Sequence, residues 1–195
     1  MSYTDKIGCY QADCKIILGR REMFSDYIKE FAEELEERSC GVDLGSGPGG
    51  PNGKYFSHCV LDGCDADSNV VDSLGSEYRQ TFTYQLGSDK RLPYEDGELD
   101  FVVCSCVIQH LSCESELNSA FREIERVLRT GGKFYLNFKT GTHDTDLKHF
   151  NSYYNEERTF RVFDSDKLSF SGKILDKEFL LDDNFIPYAK IVYKK

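Results

Sequence analysis

The chain has 195 residues, 39% of them hydrophobic, which is length and apolar content enough for one domain with its own core. Its 34 acidic and 24 basic residues leave a net charge of −10, which argues against sequence-independent binding of phosphate backbones, since that needs a surplus of Lys and Arg. No apolar run is long enough to span a bilayer, and the start "MSYTDKIG" lacks the charged-then-apolar order of a secretory signal, so a cytoplasmic protein with no membrane partner is expected.

Residues 24–35 place Phe24, Tyr27, Ile28, Phe31 and Leu35 on one face at helical spacing, with "EELEER" opposite, and so predict an amphipathic helix. It leads into a first strand, "CGVDL", followed at once by the glycine loop "GSGPGG". A second strand is expected at "HCVLDGCD", then a helix capped by Ser68 with Val71, Leu74 and Tyr78 on one face. "TFTYQLG" reads as a third strand, and "LDFVVCSCV" as a fourth, continuous in apolar residues as a central parallel strand is.

Between Glu116 and Arg129, the set Leu117, Ala120, Phe121, Ile124, Val127 and Leu128 follows helical spacing, and Gly131-Gly132 are expected to stop that helix. "KFYLNFK" is the fifth strand. After the polar stretch "TGTHDTDLKHFNSYYNEER", strands "KILDKEFLL" and "IPYAKIVYKK" flank the turn residues Asp182, Asp183 and Asn184, and predict an antiparallel hairpin. There is no repeat and no composition break, so residues 1–195 read as a single α/β domain. The expected fold is a doubly wound, mostly parallel seven-stranded sheet ending in that hairpin, which would bind ligands beyond the carboxyl ends of its strands.

Several of the eight cysteines lie inside apolar runs such as "FVVCSCVI". Cys9/Cys14, Cys59/Cys64 and Cys104/Cys106 show no paired C-x-x-C spacing, so reduced core thiols and no metal site are expected. Lys133, Lys139, Lys148, Arg158 and Arg161 are interrupted by acidic residues and read as solvated surface rather than a basic patch.

The glycine loop carries the chemistry. Gly45, Gly47 and Gly50 satisfy the dinucleotide pattern G-x-G-x-x-G, while Asp43, Gly45, Gly47 and Gly49 satisfy acidic-x-G-x-G-x-G. Glycines after a strand let a ligand approach the backbone, and Asp65, ending the second strand, is placed to accept hydrogen bonds from ribose hydroxyls. Every adenosine cofactor shares those requirements, so the loop by itself leaves the cofactor open.

Downstream, "LPYEDGELDFVVCSCVIQHL" and "REIERVLRTGGKFYLNF" resemble the segments that follow the glycine loop in class I S-adenosylmethionine (SAM)-dependent methyltransferases. The resemblance runs over residues 40–139 and implies a Rossmann-like fold, SAM as cofactor and S-adenosylhomocysteine as product. By position it implies that Asp43 orients the loop or the methionine end of SAM, that Gly45, Ser46, Gly47 and Gly49 form the loop, and that Asp65, with Ala66 beside it in "GCDADS", binds the ribose. Gly50 then becomes incidental. The family's adenine-binding Asp directly follows a Gly; here Gly87 is followed by Ser88, so the contact falls to Ser88 or Asp89. Cys106 to Gln109 match the stretch lining the SAM and substrate side, and His110 matches a histidine that serves either as a base or as a packing residue.

The implied reaction is direct displacement onto an O, N or S nucleophile, with no protein nucleophile. Positioning of that kind supplies roughly 7–11 kcal/mol, against about 3–5 kcal/mol for a general base, so positioning is expected to dominate. Bare-core size and acidity favour a small-molecule acceptor. An RNA acceptor is the alternative, since "DLGSGPGGPNGKY" and "CSCVIQHLSCESE" resemble cap guanine methyltransferases and "LPYEDGELDFVVCSCVIQHLS" resembles wobble-uridine tRNA methyltransferases. A third reading is a SAM-binding partner subunit without catalysis. Residues 1–20 and 141–158, outside the family motifs, are expected to shape the acceptor site as lids, and Tyr3, Tyr10, Tyr94, Tyr153 and Tyr154 are candidates to orient an acceptor.

Overall fold

The computed structural model describes residues 15–16, 24–141, 145–151, 156–181 and 187–195. In chain order they form β1 (Lys15–Ile16), α1 (Ser25–Glu33), β2 (Cys40–Leu44), β3 (Val60–Asp65), α2 (Ser68–Asp72), β4 (Thr81–Thr83), β5 (Leu99–Ser105) and α3 (Glu114–Val127). Then follow β6 (Leu128–Lys139), β7 (Thr145–Asn151), β8 (Glu156–Val162), β9 (Lys173–Leu181) and β10 (Pro187–Lys194), with 3-10 turns at Gly53–Phe56 and Ile108–His110.

The main sheet has the order β1-β9-β10-β6-β5-β2-β3-β4. Strands β2 to β6 pair in parallel, and β10 lies antiparallel between β6 and β9, so the mostly parallel α/β sheet with its closing hairpin is as expected. The two-residue β1, parallel to the end of β9, adds an eighth strand that sequence periodicity did not reveal. β7 and β8 pair separately in antiparallel fashion, in and just past the polar stretch to which no strand had been assigned.

Alternation along the central strands builds both layers. On β5, Val102 and Cys104 turn to the face covered by Leu117, Ala120, Phe121 and Ile124 of α3, while Phe101 and Val103 turn to the face covered by Ile28, Phe31 and Ala32 of α1. Phe56 stacks on Phe101 at 5.3 Å, and Phe31 meets both edge-on.

Three expectations change. The cap of α2 is Asp67, whose Oδ1 accepts the Asn69 N–H at 2.9 Å from an extended backbone; Ser68 is already helical. That helix has five residues, too few for the face Val71–Leu74–Tyr78: Val70 is buried in it, and Tyr78 reaches inward from the following loop. Gly131 and Gly132 do not end α3, which stops at Val127 where Leu128 turns extended. They lie within β6, where a Cβ on Gly132 would come within 3.0 Å of the Asp100 carbonyl of the neighbouring strand.

Cys64 and Cys104 are buried in the core, and burial pushes both thiols well up. Lys139 departs from the solvated reading: it is 2% exposed, with Nζ 4.2 Å above the Phe160 ring. Lys133, Lys148 and Arg161 do lie in ion pairs, with Glu34, Glu157 and Asp146. The side chain of Arg158 lies outside the described residues, as do Tyr3, Tyr10, Cys9, Cys14, Tyr153, Tyr154 and the turn at Asp182, Asp183 and Asn184. No helix among the described residues is long and apolar enough to cross a membrane.

Candidate active site

Strand order reverses at β2, which has β5 on one side and β3 on the other, so the loops leaving β2 and β5 diverge and open a crevice at their carboxyl ends. A cavity of about 450 Å³ occupies that crevice. Of the residues expected from sequence, Gly45, Gly47, Asp65, Ala66, Cys106 and His110 line it.

Backbone geometry dictates the glycine at the loop's first position. Gly45 has φ +67, and a Cβ there would lie 2.5 Å from Val107 Cγ2, across the crevice. Ser46 N–H donates to the Cys64 carbonyl at 2.8 Å and its Oγ to the Asp43 carbonyl at 2.9 Å, stitching the loop to β2 and β3. Ser46 is buried and, like Gly49, is not part of the cavity lining.

Asp65 ends β3 with its carboxylate on the cavity. Oδ2 accepts the Gly47 N–H at 3.1 Å and Oδ1 the Asp67 N–H at 3.0 Å, which fixes the group between the loop and the start of α2. Each oxygen keeps a second lone pair. The carboxylate is thereby pre-aimed for two adjacent hydroxyls.

Asp43 sits elsewhere. It is fully buried behind the loop, accepting the Tyr78 hydroxyl at 3.0 Å and Asn52 Nδ2 at 3.3 Å, and it does not line the cavity. Burial pushes its carboxyl from the ordinary 3.8 up to about 7, against the lowering effect of the Tyr78 and Asn52 hydrogen bonds. Gly50 is not incidental: its φ is +56, and any Cβ would overlap the Tyr78 ring.

Ser88 and Asp89 are not among the lining residues, and Ser88 Oγ accepts the Lys90 N–H at 3.4 Å. The lining beyond β4 comes instead from Tyr84 and Leu86. Their i, i+2 spacing in "TFTYQLG", just past the strand's end, is the signal that could have found them. Leu44, Pro48, Asp67, Ser105 and Val107 complete the wall. Tyr94 does not reach it; the hydroxyl donates to the buried Asp62 at 2.9 Å.

On the β5 side, Cys106 adopts φ +60, a strained conformation for a side chain other than glycine. Its N–H donates to Asn137 Oδ1 at 2.9 Å, and Asn137, fully buried on β6, is itself fixed by the Tyr135 hydroxyl at 3.1 Å. A polar residue inside the apolar "KFYLNFK" was the unread clue to this support. The turn that follows brings His110 to the rim, its ring 4.9 Å from Phe160 of β8 and Lys139 on that same ring. The end of the β7–β8 hairpin therefore packs against the cavity's outer side.

The profile of a family described as "Methyltransferase domain" matches residues 42–136, from β2 into β6. Over 85% of its length the chain superimposes on a SAM-dependent methyltransferase from Methanosarcina mazei, covering 96% of that chain with a TM-score of 0.68 at 16% identity. Residues 42–136 are thus a methyltransferase domain, and the chain has the fold of SAM-dependent methyltransferases.

Among curated relatives of this methyltransferase is the tRNA (carboxymethyluridine(34)-5-O)-methyltransferase ALKBH8 of Macaca fascicularis, 32% identical over 110 residues, or 55% of this chain and 16% of that one. The Xenopus tropicalis protein of the same description is 29% identical over 145 residues, 72% of this chain and 22% of the relative. The chain thus spans about a fifth of the length of these relatives.

Proposed function

We propose that this chain transfers the SAM methyl group to an oxygen of a carboxymethyl-modified wobble uridine in tRNA. The observation that carries the reading is the match, over as much as 72% of the chain, to enzymes described by that reaction. The site fits the cofactor: Gly45, Gly47 and the Asp65 carboxylate line a cavity whose wall also includes Tyr84 and Leu86, a surface suited to a flat base.

Bound SAM supplies an electrophilic methyl group on a sulfonium, open to direct displacement. The chain's own residues do the positioning. Asp65 holds the ribose hydroxyls; Gly45 and Gly47 let the backbone close on the methionine end; the Cys106–Val107 turn, held by Asn137, forms the wall opposite the loop. Ser88 and Asp89 then have no direct adenine contact, which passes to Tyr84 and Leu86.

A carboxymethyl acceptor reaches neutral pH already ionised, so no proton has to leave it. His110 then orients the acceptor at the rim rather than acting as its base. With a hydroxyl or amine acceptor the same imidazole would take the proton. The −10 charge supports that second reading, a small neutral or cationic acceptor.

The discriminating experiment follows labelled methyl groups from SAM into total tRNA lacking this methylation, with nucleoside digestion. A methyl ester is cleaved by mild alkali, whereas N-methyl and ether O-methyl groups survive it. Alkali-labile label in a uridine nucleoside is the expected result; no label, or alkali-stable label, refutes the carboxymethyl assignment.

A further inference from the structure

Tyr78 belongs to none of the motifs, yet it makes the closest packing beneath the glycine loop. Its side chain is nearly buried and occupies a slot left by three glycines, one each from the glycine loop, the 3-10 turn and β3. A Cβ on Gly63 of β3 would lie 2.6 Å from its Cδ1, one on Gly53 3.1 Å from its Cε2, and one on Gly50 would overlap the ring. Through that slot the hydroxyl reaches Asp43 Oδ2 at 3.0 Å, where Asn52 Nδ2 completes the pairing at 3.3 Å.

The backbone of the same segment is fastened to β3, because the next residue, Arg79, donates its N–H to the Leu61 carbonyl at 2.7 Å. Tyr78 therefore spans from β3, which ends in Asp65, to the carboxylate at the root of the loop that carries Gly47. Beyond the Ser46 N–H to Cys64 carbonyl bond, those two parts meet at the Asp65 carboxylate itself, through Gly47 N–H to Asp65 Oδ2. That bond sets where the loop sits relative to the ribose-binding carboxylate.

We infer that Tyr78 is a positioning residue for the cofactor: acting through Asp43 and the three-glycine slot, it fixes the glycine loop at its working distance from Asp65 without touching the cavity. The inference rests on the loop and Asp65 holding SAM, as proposed above. Asn52 is the second arm of the same clasp, since it grips Asp43 from the far end of the loop.

Tyr78→Phe keeps the ring in its slot and removes only the donor. The measurement is S-adenosylhomocysteine affinity by calorimetry, together with the ligand-free unfolding temperature and, once the acceptor is established, KM for SAM and kcat. The expected result is about tenfold weaker binding and a matching rise in KM, with kcat within about twofold and the unfolding temperature lowered by only a few degrees. Unchanged affinity alongside a lowered unfolding temperature would mean that Tyr78 only packs, and overturns the inference.

Asn52→Ala leaves the slot intact and decides the matter should Tyr78→Phe not fold. It is expected to weaken binding about threefold, and an affinity equal to that of the unmodified chain refutes the clasp. If the unmodified chain itself binds no S-adenosylhomocysteine, the cofactor reading is what fails, and the inference falls with it.

Discussion

Replacing Asp65 by Ala removes one carboxylate from three places at once. The Gly47 and Asp67 N–H groups lose acceptors at 3.1 and 3.0 Å, and the cavity loses the carboxylate proposed to hold the ribose. A hydrogen bond to a charged group contributes about 1.5–3 kcal/mol, so two ribose contacts set a ceiling of about 3–6 kcal/mol on the loss of cofactor binding. Water entering the vacated space offsets part of that. We expect S-adenosylhomocysteine affinity to fall by about a hundredfold, or roughly 2.7 kcal/mol, and by no less than about tenfold. Asp65→Asn keeps one carbonyl oxygen and should fall between that and the unmodified chain. Ser73→Ala removes the acceptor of the Gly49 N–H at 3.1 Å, an exposed bond away from the lining, and is expected to leave binding within about twofold. Calorimetry on the three variants reads the series directly. Equal affinities for Asp65→Ala and the unmodified chain would refute the ribose assignment.

Asp43 gives the stability a pH dependence of known sign. Its carboxyl is at about 7 when folded and near 3.8 when not, so its contribution is complete below about pH 4 and is lost as pH rises through 7, on the order of 4 kcal/mol in all. Asp43→Asn should flatten that part of the urea-unfolding profile between pH 4 and 8; an unaltered slope would show that the carboxyl is not the group responsible. For His110→Ala, whose ring rests on Phe160 at the rim, cofactor affinity should hold within about twofold while single-turnover methyl transfer slows. With a carboxylate acceptor the slowing is the same from pH 6 to 8, and a loss confined to the alkaline side would reinstate His110 as a base.

The parts of the fold legible in the sequence are those where one force decides. β5 is buried on both faces, so its apolar run announces itself, and "KILDKEFLL" coincides with β9 residue for residue. The misread elements are those settled by contacts distant in sequence. α2 stops after one turn because Tyr78 is needed under the glycine loop rather than on a helix face. Gly132 reads as a helix stop, but its neighbour is the Asp100 carbonyl of the adjacent strand. At the site, Asp65 and the glycines were visible because close backbone approach and a strand-end carboxylate leave fixed residue types. Asn137 and Tyr78 were not, since they act through a strained turn and a buried carboxylate that only the folded chain brings near them.

The acidity of the chain and a tRNA acceptor make a joint demand on the β7–β8 hairpin, which packs beside His110. Its strands carry Lys148, Arg158 and Arg161, and two of these are held in exposed ion pairs, Lys148 with Glu157 at 3.8 Å and Arg161 with Asp146 at 3.3 Å. Such pairs contribute about 1 kcal/mol or less, so a phosphate can displace the carboxylate at little cost. Long-range repulsion from the net charge is screened within about 8 Å at physiological ionic strength. Lys148 and Arg161 share one face of the pair by register, which allows about two phosphate contacts, and single-stranded anticodon-loop binding through them should follow log K against log salt with a slope of about −1.4. Filter binding of a tRNA anticodon stem-loop over a salt series measures that slope, and Lys148→Ala should reduce it by about half. A slope steeper than about −4 would require a basic surface that this hairpin does not have, and a flat profile would place the acceptor among small molecules after all.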